Sequence, residues 1–543
     1  MSQLETVRTA DVLARRLYDA GVRHAFGMPG GEVLTILDAL TKAGIAFHLV
    51  KHENAGGFMA EGVYHRTGAP AVLVATVGPG ALNAVNVVEN ARQDRVPMIF
   101  ITGAVDADEA QSYTHQVLDQ RAVFGAVTKA SFTMVAGAAH VIADKAVSLA
   151  NAPRQGPVHI DLPIGVADAV VSAEPPMPSR QSAYAATAPI GADLDQARQW
   201  LSEAVRPVAI AGLDVLAEEG AAAAVADFCA HHNVPLITTY KGKGILREDH
   251  PLALGGAGLS PLADKHLLPF VAAADLVLCL GYDPIEMRTG WRAPWDPAQQ
   301  RVIDIMPEPN SHYMHQATLS MVADLGPTLD ALSHDLTPMD TWSGGEVAQV
   351  KGALATDFPE NDEWGPAAVI ATCRDVLPET TLATVDSGAH RILLSQMWRC
   401  PEPRTLVQSS GLCTMGCALP LALGLSIADQ ERPVVGFMGD AGFLMVAGEL
   451  ATAAEMGLRT IFVVFVDDSL ALIEKKQRER QLANAGVDFE HHDYAAMARA
   501  FGGAGHTVRD RDALRAALDQ ALDAPTFTLI ATVIPRGAYD GRI

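Results

Sequence analysis

Short apolar runs with the character of buried strands recur along the chain, at 71–76, 98–102, 158–162, 208–211, 276–280, 434–438, 460–466 and 526–533, with helix-period segments between them. Strands that are apolar throughout and separated by helix-length segments pair in parallel, because each return to the same end of a sheet needs a crossover. The chain is therefore read as α/β. Its 543 residues exceed what one hydrophobic core organises. Two stretches break the rhythm: 172–189 is rich in Pro, Ser and Ala without apolar periodicity, and 336–363 holds Thr-Pro-Met-Asp-Thr-Trp-Ser-Gly-Gly followed by a polar segment. Read as interdomain linkers, they leave three blocks, 1–172, 190–335 and 364–543, each expected to be a doubly wound parallel sheet.

Charge removes several function classes. The formal net charge is −23 with no compensating basic block, so a nucleic-acid backbone or an anionic membrane surface is repelled, and neither is an expected partner. No apolar run approaches the roughly 20 residues that span a bilayer, and residues 1–20 mix charges with apolar residues at helical spacing; the chain is read as cytoplasmic, without a cleaved signal. The six cysteines, Cys229, Cys279, Cys373, Cys400, Cys413 and Cys417, form no CxxC pair or Cys/His cluster and are read as reduced, mostly buried thiols. For Cys413 and Cys417, four apart around Thr-Met-Gly, a redox or metal role is the alternative.

Three segments carry chemistry. Lys51-His52-Glu53-Asn54 follows the apolar stretch 47–50 and precedes a small-residue helix at 55–66. Glu53 is either an N-terminal charge favoured by the helix dipole or a carboxylate held against a flat ligand, which the following Ala-Gly-Gly would allow to approach closely. Gly78-Pro79-Gly80, directly after the run at 71–76, is an ordinary turn or a passage beneath a ring or phosphate. Gly436-Phe-Met-Gly439-Asp440-Ala441-Gly442-Phe443 lies between a strand and a helix, where backbone N–H groups suit phosphate oxygens and Asp440 suits a hard cation; a capped turn is the alternative. Asp467 ends the next apolar run. Two consecutive parallel strands joined by one helix bring their C-terminal ends side by side, so Asp440 and Asp467 are expected to face one cation at the edge where open α/β sheets bind ligands. Two carboxylates, diphosphate oxygens and water complete an octahedron that suits Mg²⁺.

Gly-Asp followed at this distance by Asp resembles the diphosphate signature of thiamine diphosphate enzymes, and the chain resembles the acetolactate synthase branch of that superfamily from end to end. The resembling segments are Phe26-Gly-Met-Pro-Gly-Gly31, His52-Glu53, Gly78-Pro-Gly-Ala-Leu-Asn83, residues 157–163, Gly411-Leu-Cys-Thr-Met-Gly416 and the Asp440 motif. Thr114-His115-Gln116-Val-Leu-Asp119, Val127-Thr128-Lys129, Gly281-Tyr-Asp-Pro-Ile-Glu286 and Asp467 itself resemble the flavin-independent, catabolic members, so FAD is not expected.

The resemblance implies a pyrimidine-binding domain, a central domain and a diphosphate-binding domain in that order, with thiamine diphosphate and Mg²⁺ as cofactors. Glu53 is implied to hydrogen-bond the pyrimidine and activate the cofactor, and His115 and Gln116 to touch substrate. Pro29, Gly30, Glu53, Gly78, Asn83, Gly388, His390, Gly411, Cys413, Met415, Gly439, Asp440, Ala441, Gly442, Leu472 and Ile473 are the implied cofactor contacts. Met415 is the wedge between the cofactor's rings, where plain core packing is the alternative. Asp440, Asp467 and Ser469 are the implied metal residues. Lys129 is either near substrate or a surface charge. The implied partner is a small 2-oxo acid, pyruvate first, decarboxylated and joined to a second carbonyl compound by a homodimer as minimal active unit within a homotetramer.

One segment departs. Leu472-Ile473 stand where the synthases carry Met-Val, and Glu474 to Lys476 differ again. In the family that helix borders the substrate. A 2-oxo acid decarboxylase or acyl-transferring relative with another substrate, and a catalytically silent cofactor-binding homologue, are therefore the alternatives.

Overall fold

The computed structural model describes residues 5–174, 186–285 and 287–543. Most of the expected first linker, at 175–185, and Glu286 of the 281–286 loop lie outside the described residues. All eight expected strands are present, with ends displaced by at most a few residues, and they belong to three six-stranded, all-parallel sheets.

In the first sheet the spatial order is Ala46–Leu49, His24–Gly27, Ala71–Ala75, Met98–Ala104, Val158–Pro163, Ala130–Thr133. In the third it is Leu406–Gln408, Leu382–Val385, Val434–Gly439, Ile461–Val466, Thr528–Val533, Ala504–Val508. Ranked along the chain, both run 2-1-3-4-6-5. One topology is used twice. The central sheet, Ala253–Ala257, Leu236–Thr239, Pro207–Ala211, Leu276–Leu280, Arg301–Met306, Leu319–Val322, runs 3-2-1-4-5-6. In each outer sheet the winding reverses between the first and third strands in chain order, and the loops leaving their C-terminal ends diverge into a crevice. Residues 29–30 and 76–80 lie at that point in the first sheet, and 386–390 and 439–442 in the third.

The chain forms two compact units. One holds residues 5–174 with 419–431 and 446–460; the other holds the remaining described residues, including the central and third sheets. In the first, Ala10, Leu13, Leu17, Ile36, Leu40, Ile142 and Val147 from three helices cover one face of the sheet. In the second, a continuous apolar core runs from Val208, Ile210 and Val277 through Trp291, Trp342 and Trp398 to Phe437, Val463 and Ile530. No helix among the described residues is long and apolar enough to cross a membrane.

Three details differ from the sequence reading. The stretch 336–363 contains a helix, Glu346–Asp357, whose Val347, Val350 and Leu354 pack against the second unit's core. The strands Val434–Gly439 and Ile461–Val466 are joined by two helical pieces, Asp440–Val446 and Glu449–Glu455, rather than one; the second piece belongs to the first unit, and its first residue is buried there. The small residues after Glu53 serve protein packing instead of a flat ligand. A Cβ on Gly57 would lie 2.4 Å from Val87, and one on Gly62 would lie 2.4 Å from the Leu421 carbonyl, so these glycines let the helix Glu53–Thr67 settle onto its neighbours.

Candidate active site

In the first unit, Glu53 opens its helix immediately after the edge strand Ala46–Leu49 and is 4% exposed. The turn before it is held on both sides. Its N-cap, His52, accepts from the Asn54 N–H at 3.2 Å, and the Glu449 carboxylate accepts from the N–H groups of Lys51 at 2.9 Å and His52 at 3.0 Å. Asn83 donates to Glu53 Oε2 at 3.0 Å, while Oε1 faces Gly80, where a Cβ would stand 3.0 Å away. Glu53 and Asn83, two of the expected contacts, are thus joined directly.

The chain passes from Ala75 into Gly78 with φ +72°, in the left-handed region that favours glycine. The Gly78 N–H donates to Gln120 Oε1 at 3.0 Å, and a Cβ there would meet the Gln116 carbonyl at 3.0 Å. Gln116 itself has φ +60°, so the His115-Gln116 loop is bent down over Gly78. His115 and Gln116 line a cavity of about 450 Å³ together with Glu32, whose Oε2 accepts from Thr76 Oγ1 at 2.8 Å. Gly30 gives Glu32 and Thr76 their room, for a Cβ would lie 2.9 Å from both; Pro29, beside it, is exposed at the crevice mouth. Lys129 lies elsewhere: its Nζ donates to the Ala152 carbonyl at 2.7 Å and its stem covers Gly156. That arrangement fits a surface role.

In the second unit, a cavity of about 120 Å³ opens at the switch point of the third sheet. Its wall brings together Gly388, His390, Met415, Gly439, Asp440, Ala441, Gly442, Asp467, Ser469, Leu472 and Ile473. Gly411 and Cys413 are not on that wall but on the loop that carries Met415. Cys413 has φ +51°, and its sulfur accepts from Arg391 Nη1 at 3.1 Å and donates to the Ser410 carbonyl at 3.3 Å. All six cysteines are free, and burial pushes the Cys229 and Cys400 thiols up to about 12, so these are inert thiols.

The organiser of this half is Asp386, which sequence reasoning passed over. It is fully buried at the end of the strand Leu382–Val385. Its Oδ1 pairs with His390 Nε2 at 2.7 Å and its Oδ2 accepts from the Gly416 N–H at 2.7 Å. A Cβ on Gly442 would fall 2.1 Å from the same Oδ2. One carboxylate therefore fixes the 388–390 turn, the Met415 loop and the Gly439–Gly442 turn. The signal was present: an acid at a strand end, followed by a small residue and a glycine, is the pattern that drew attention to Asp440. Tyr539, from the C-terminal turn, was also unanticipated; it is buried and lines both this cavity and a neighbouring one of about 290 Å³.

Asp440 and Asp467 end adjacent parallel strands, as the spacing requires. Asp440 Oδ1 accepts from the Ala441 N–H at 2.8 Å and Oδ2 accepts from those of Asp467 at 3.1 Å and Asp468 at 2.8 Å. Burial pushes the Asp440 carboxyl up to about 6; burial, followed by the charge of Asp440, pushes Asp467 up to about 7. A pair of crowded, buried carboxyls is relieved by a cation. Ser469 turns its hydroxyl away from the pair, donating to Asp488 Oδ1 at 2.9 Å. Among the described residues no group of three or more His, Cys, Asp or Glu is assembled to hold a metal. A cation on this pair needs further oxygens from a ligand, which suits a diphosphate. Gly388 and Gly439 beside His390, and Gly442 beside Asp386, carry no side chains and leave the cradle such a group requires.

On the helix Ala471–Glu479, Leu472 and Ile473 face the smaller cavity, whereas Glu474 and Arg478 line the larger one. There Arg478 is tied to Glu474 at 2.8 Å and Asp540 at 2.9 Å.

Comparison with known proteins gives a consistent picture. Residues 7–123 match the N-terminal TPP binding domain of thiamine pyrophosphate enzymes, 194–332 their central domain and 386–532 their C-terminal TPP binding domain. Over 542 residues, 95% of this chain and 91% of the relative, the chain is 28% identical to the acetolactate synthase of Bacillus subtilis (strain 168). It is 27% identical to the catabolic acetolactate synthase of Raoultella terrigena over 544 residues, 96% and 94% of the two chains. To the acetolactate synthase isozyme 2 large subunit of Escherichia coli (strain K12) it is 29% identical over 511 residues, 93% and 91%.

Proposed function

Because the chain belongs to the thiamine pyrophosphate (thiamine diphosphate) enzymes and is acetolactate synthase-like along its length, we propose that it decarboxylates a 2-oxo acid, pyruvate first, and joins the remaining acyl unit to a second carbonyl compound. The observation that carries this reading is the buried Asp440–Asp467 pair on the wall of the cavity that also holds His390 and Met415.

The residues that would hold the diphosphate are Gly388, His390 and Gly439 to Gly442, with Mg²⁺ on Asp440, Asp467 and the Ser469 carbonyl. Met415, Leu472 and Ile473 would border the thiazolium ring, with Gly411 and Cys413 shaping the Met415 loop. Pro29, Gly30, Gly78, Asn83 and Glu53 would frame the pyrimidine. When bound, the cofactor supplies a carbon acid whose conjugate base adds to a carbonyl and accepts the electrons left by departing CO₂. Glu53 carries the proton exchange with the pyrimidine at Oε1, since Oε2 is taken by Asn83. Burial keeps water off this carboxyl. His115 and Gln116, over the 450 Å³ cavity, offer hydrogen bonds to the substrate's carboxylate and carbonyl. A homodimer is the minimal active unit of this reading, a homotetramer its expected assembly, the cytoplasm its place, and FAD is not among its cofactors.

Protein supplied with thiamine diphosphate, Mg²⁺ and pyruvate should release CO₂ and form acetolactate, seen as acetoin after acid treatment. Acetaldehyde as the sole product would refute carboligation, and faster CO₂ release from another 2-oxo acid than from pyruvate would favour the second reading, a decarboxylase or acyl-transferring relative with a different substrate. The charged Glu474–Arg478–Asp540 cluster, on and beside the helix whose sequence departs from the synthases, supports that alternative.

A further inference from the structure

Glu449 belongs to none of the motifs that suggested a cofactor, yet it is 1% exposed and directed at the turn that precedes Glu53. Its Oε1 accepts two consecutive peptide N–H groups, from Lys51 at 2.9 Å and His52 at 3.0 Å, and its Oε2 accepts from Thr452 Oγ1 at 2.7 Å. The next residue in the chain is Glu53. Six residues on, at the end of the same helix, Glu455 pairs with Lys51 Nζ at 2.7 Å, a second tie to the same residue. A buried carboxylate is unfavourable unless its oxygens are satisfied, and here all three donors come from the turn and from its own helix. Two peptide N–H groups on one oxygen leave the Lys51–His52 backbone a single direction, so the Cα–Cβ bond of Glu53 is aimed before its side chain makes any contact.

We propose that Glu449 is the positioning residue for Glu53, fixing the direction in which that carboxylate meets the pyrimidine end of the cofactor; this rests on the role assigned to Glu53 above. The stretch of chain that begins with Asp440 thereby ends, at Glu449, on the turn that carries Glu53.

A merely structural Glu449 and a positioning Glu449 differ in what its loss spares. Glu449→Ala and Glu449→Gln are compared with wild type in amide hydrogen exchange of Lys51 and His52 in the cofactor-free protein. Calorimetric affinities for thiamine diphosphate and for inorganic pyrophosphate, each with Mg²⁺, complete the comparison. Glu449→Ala, which leaves the two N–H groups with no side-chain acceptor, should speed exchange at both amides about ten-fold or more and weaken thiamine diphosphate by about ten-fold, leaving pyrophosphate within about two-fold. Glu449→Gln, which retains an acceptor oxygen, should stay near wild type in all three. If Glu449→Ala does not fold, Glu449→Asp, one methylene short of the turn, should show the same split. Unchanged exchange with an unchanged ratio of the two affinities would overturn the proposal, and so would equal loss of both ligands. A wild type that binds pyrophosphate but not thiamine diphosphate would overturn the underlying reading of Glu53 and the proposal with it, even with slow exchange at Lys51 and His52.

Discussion

Replacing Asp467 by Asn should remove a pH dependence from cofactor binding. Asp440 stands at about 6 and Asp467 at about 7 in the cation-free chain, both raised chiefly by burial. Unfolded carboxyls ionise near about 3.9, so the folded chain holds protons that the unfolded chain has released. The stability contributed by the protonated pair is present at low pH and lost as pH rises through 6 to 7. Mg²⁺ needs the ionised pair, so its affinity rises over the same window. At pH 5 a carboxyl with a pKa of about 7 is ionised in about one molecule in a hundred, a penalty of ~2.7 kcal/mol that vanishes by about pH 8. The pair titrates as a unit, so the steps belong to both residues. In Asp467→Asn one of the two protons is absent, while the cofactor's own ionisation is common to both proteins and cancels in their ratio. Calorimetric titration with thiamine diphosphate and Mg²⁺ should give a wild-type to variant affinity ratio that climbs about 100-fold between about pH 5 and 8. Repeating it in buffers of different ionisation enthalpy should show one proton fewer released by the variant. A ratio flat across that range would refute the reasoning, for it would mean that the two carboxyls do not share a cation.

Other expected outcomes follow from single contacts. Glu53→Gln should bind thiamine diphosphate and Mg²⁺ about as wild type does but lose about 10²- to 10⁴-fold in CO₂ release, the usual range for an acid–base group. Gly442→Ala places a Cβ 2.1 Å from Asp386 Oδ2; displacement of Asp386 loosens three segments of the cradle, and calorimetry should show thiamine diphosphate affinity down about ten-fold or more. Gly424→Ala, whose Cβ would meet the Met59 carbonyl at 2.0 Å, should cost about 1–3 kcal/mol in denaturant unfolding through overpacking.

Much of this molecule was legible before its coordinates. Residues 434–438 and 460–466 are apolar enough to declare buried strands, and an acid at the end of each put Asp440 and Asp467 together by the geometry of parallel sheets alone. The repeated strand order was not legible, because Leu382–Val385, Leu406–Gln408 and Ala504–Val508 are short or polar and carry little periodic signal. The helix Glu346–Asp357 escaped for a related reason: only Val347, Val350 and Leu354 mark its packed face, and Gly352 interrupts the segment between them. Gln120 and Glu449 work by accepting backbone N–H groups from residues distant in sequence, and nothing local marks a side chain for that task. Ala-Gly-Gly after Glu53 shows the converse. Small residues announce a close approach without naming what approaches, and here Val50 and Leu73 stand against Gly56 and Val87 against Gly57.

The most direct test follows the carbon. Pyruvate labelled with ¹³C at the carbonyl is incubated with the protein, thiamine diphosphate and Mg²⁺, and the products are read by NMR alongside the CO₂ evolved. The expected result is acetolactate carrying two labelled carbons for each CO₂ released, abolished by chelation and restored by Mg²⁺. Pyruvate unchanged, with no CO₂ from any of a panel of 2-oxo acids, would contradict the account.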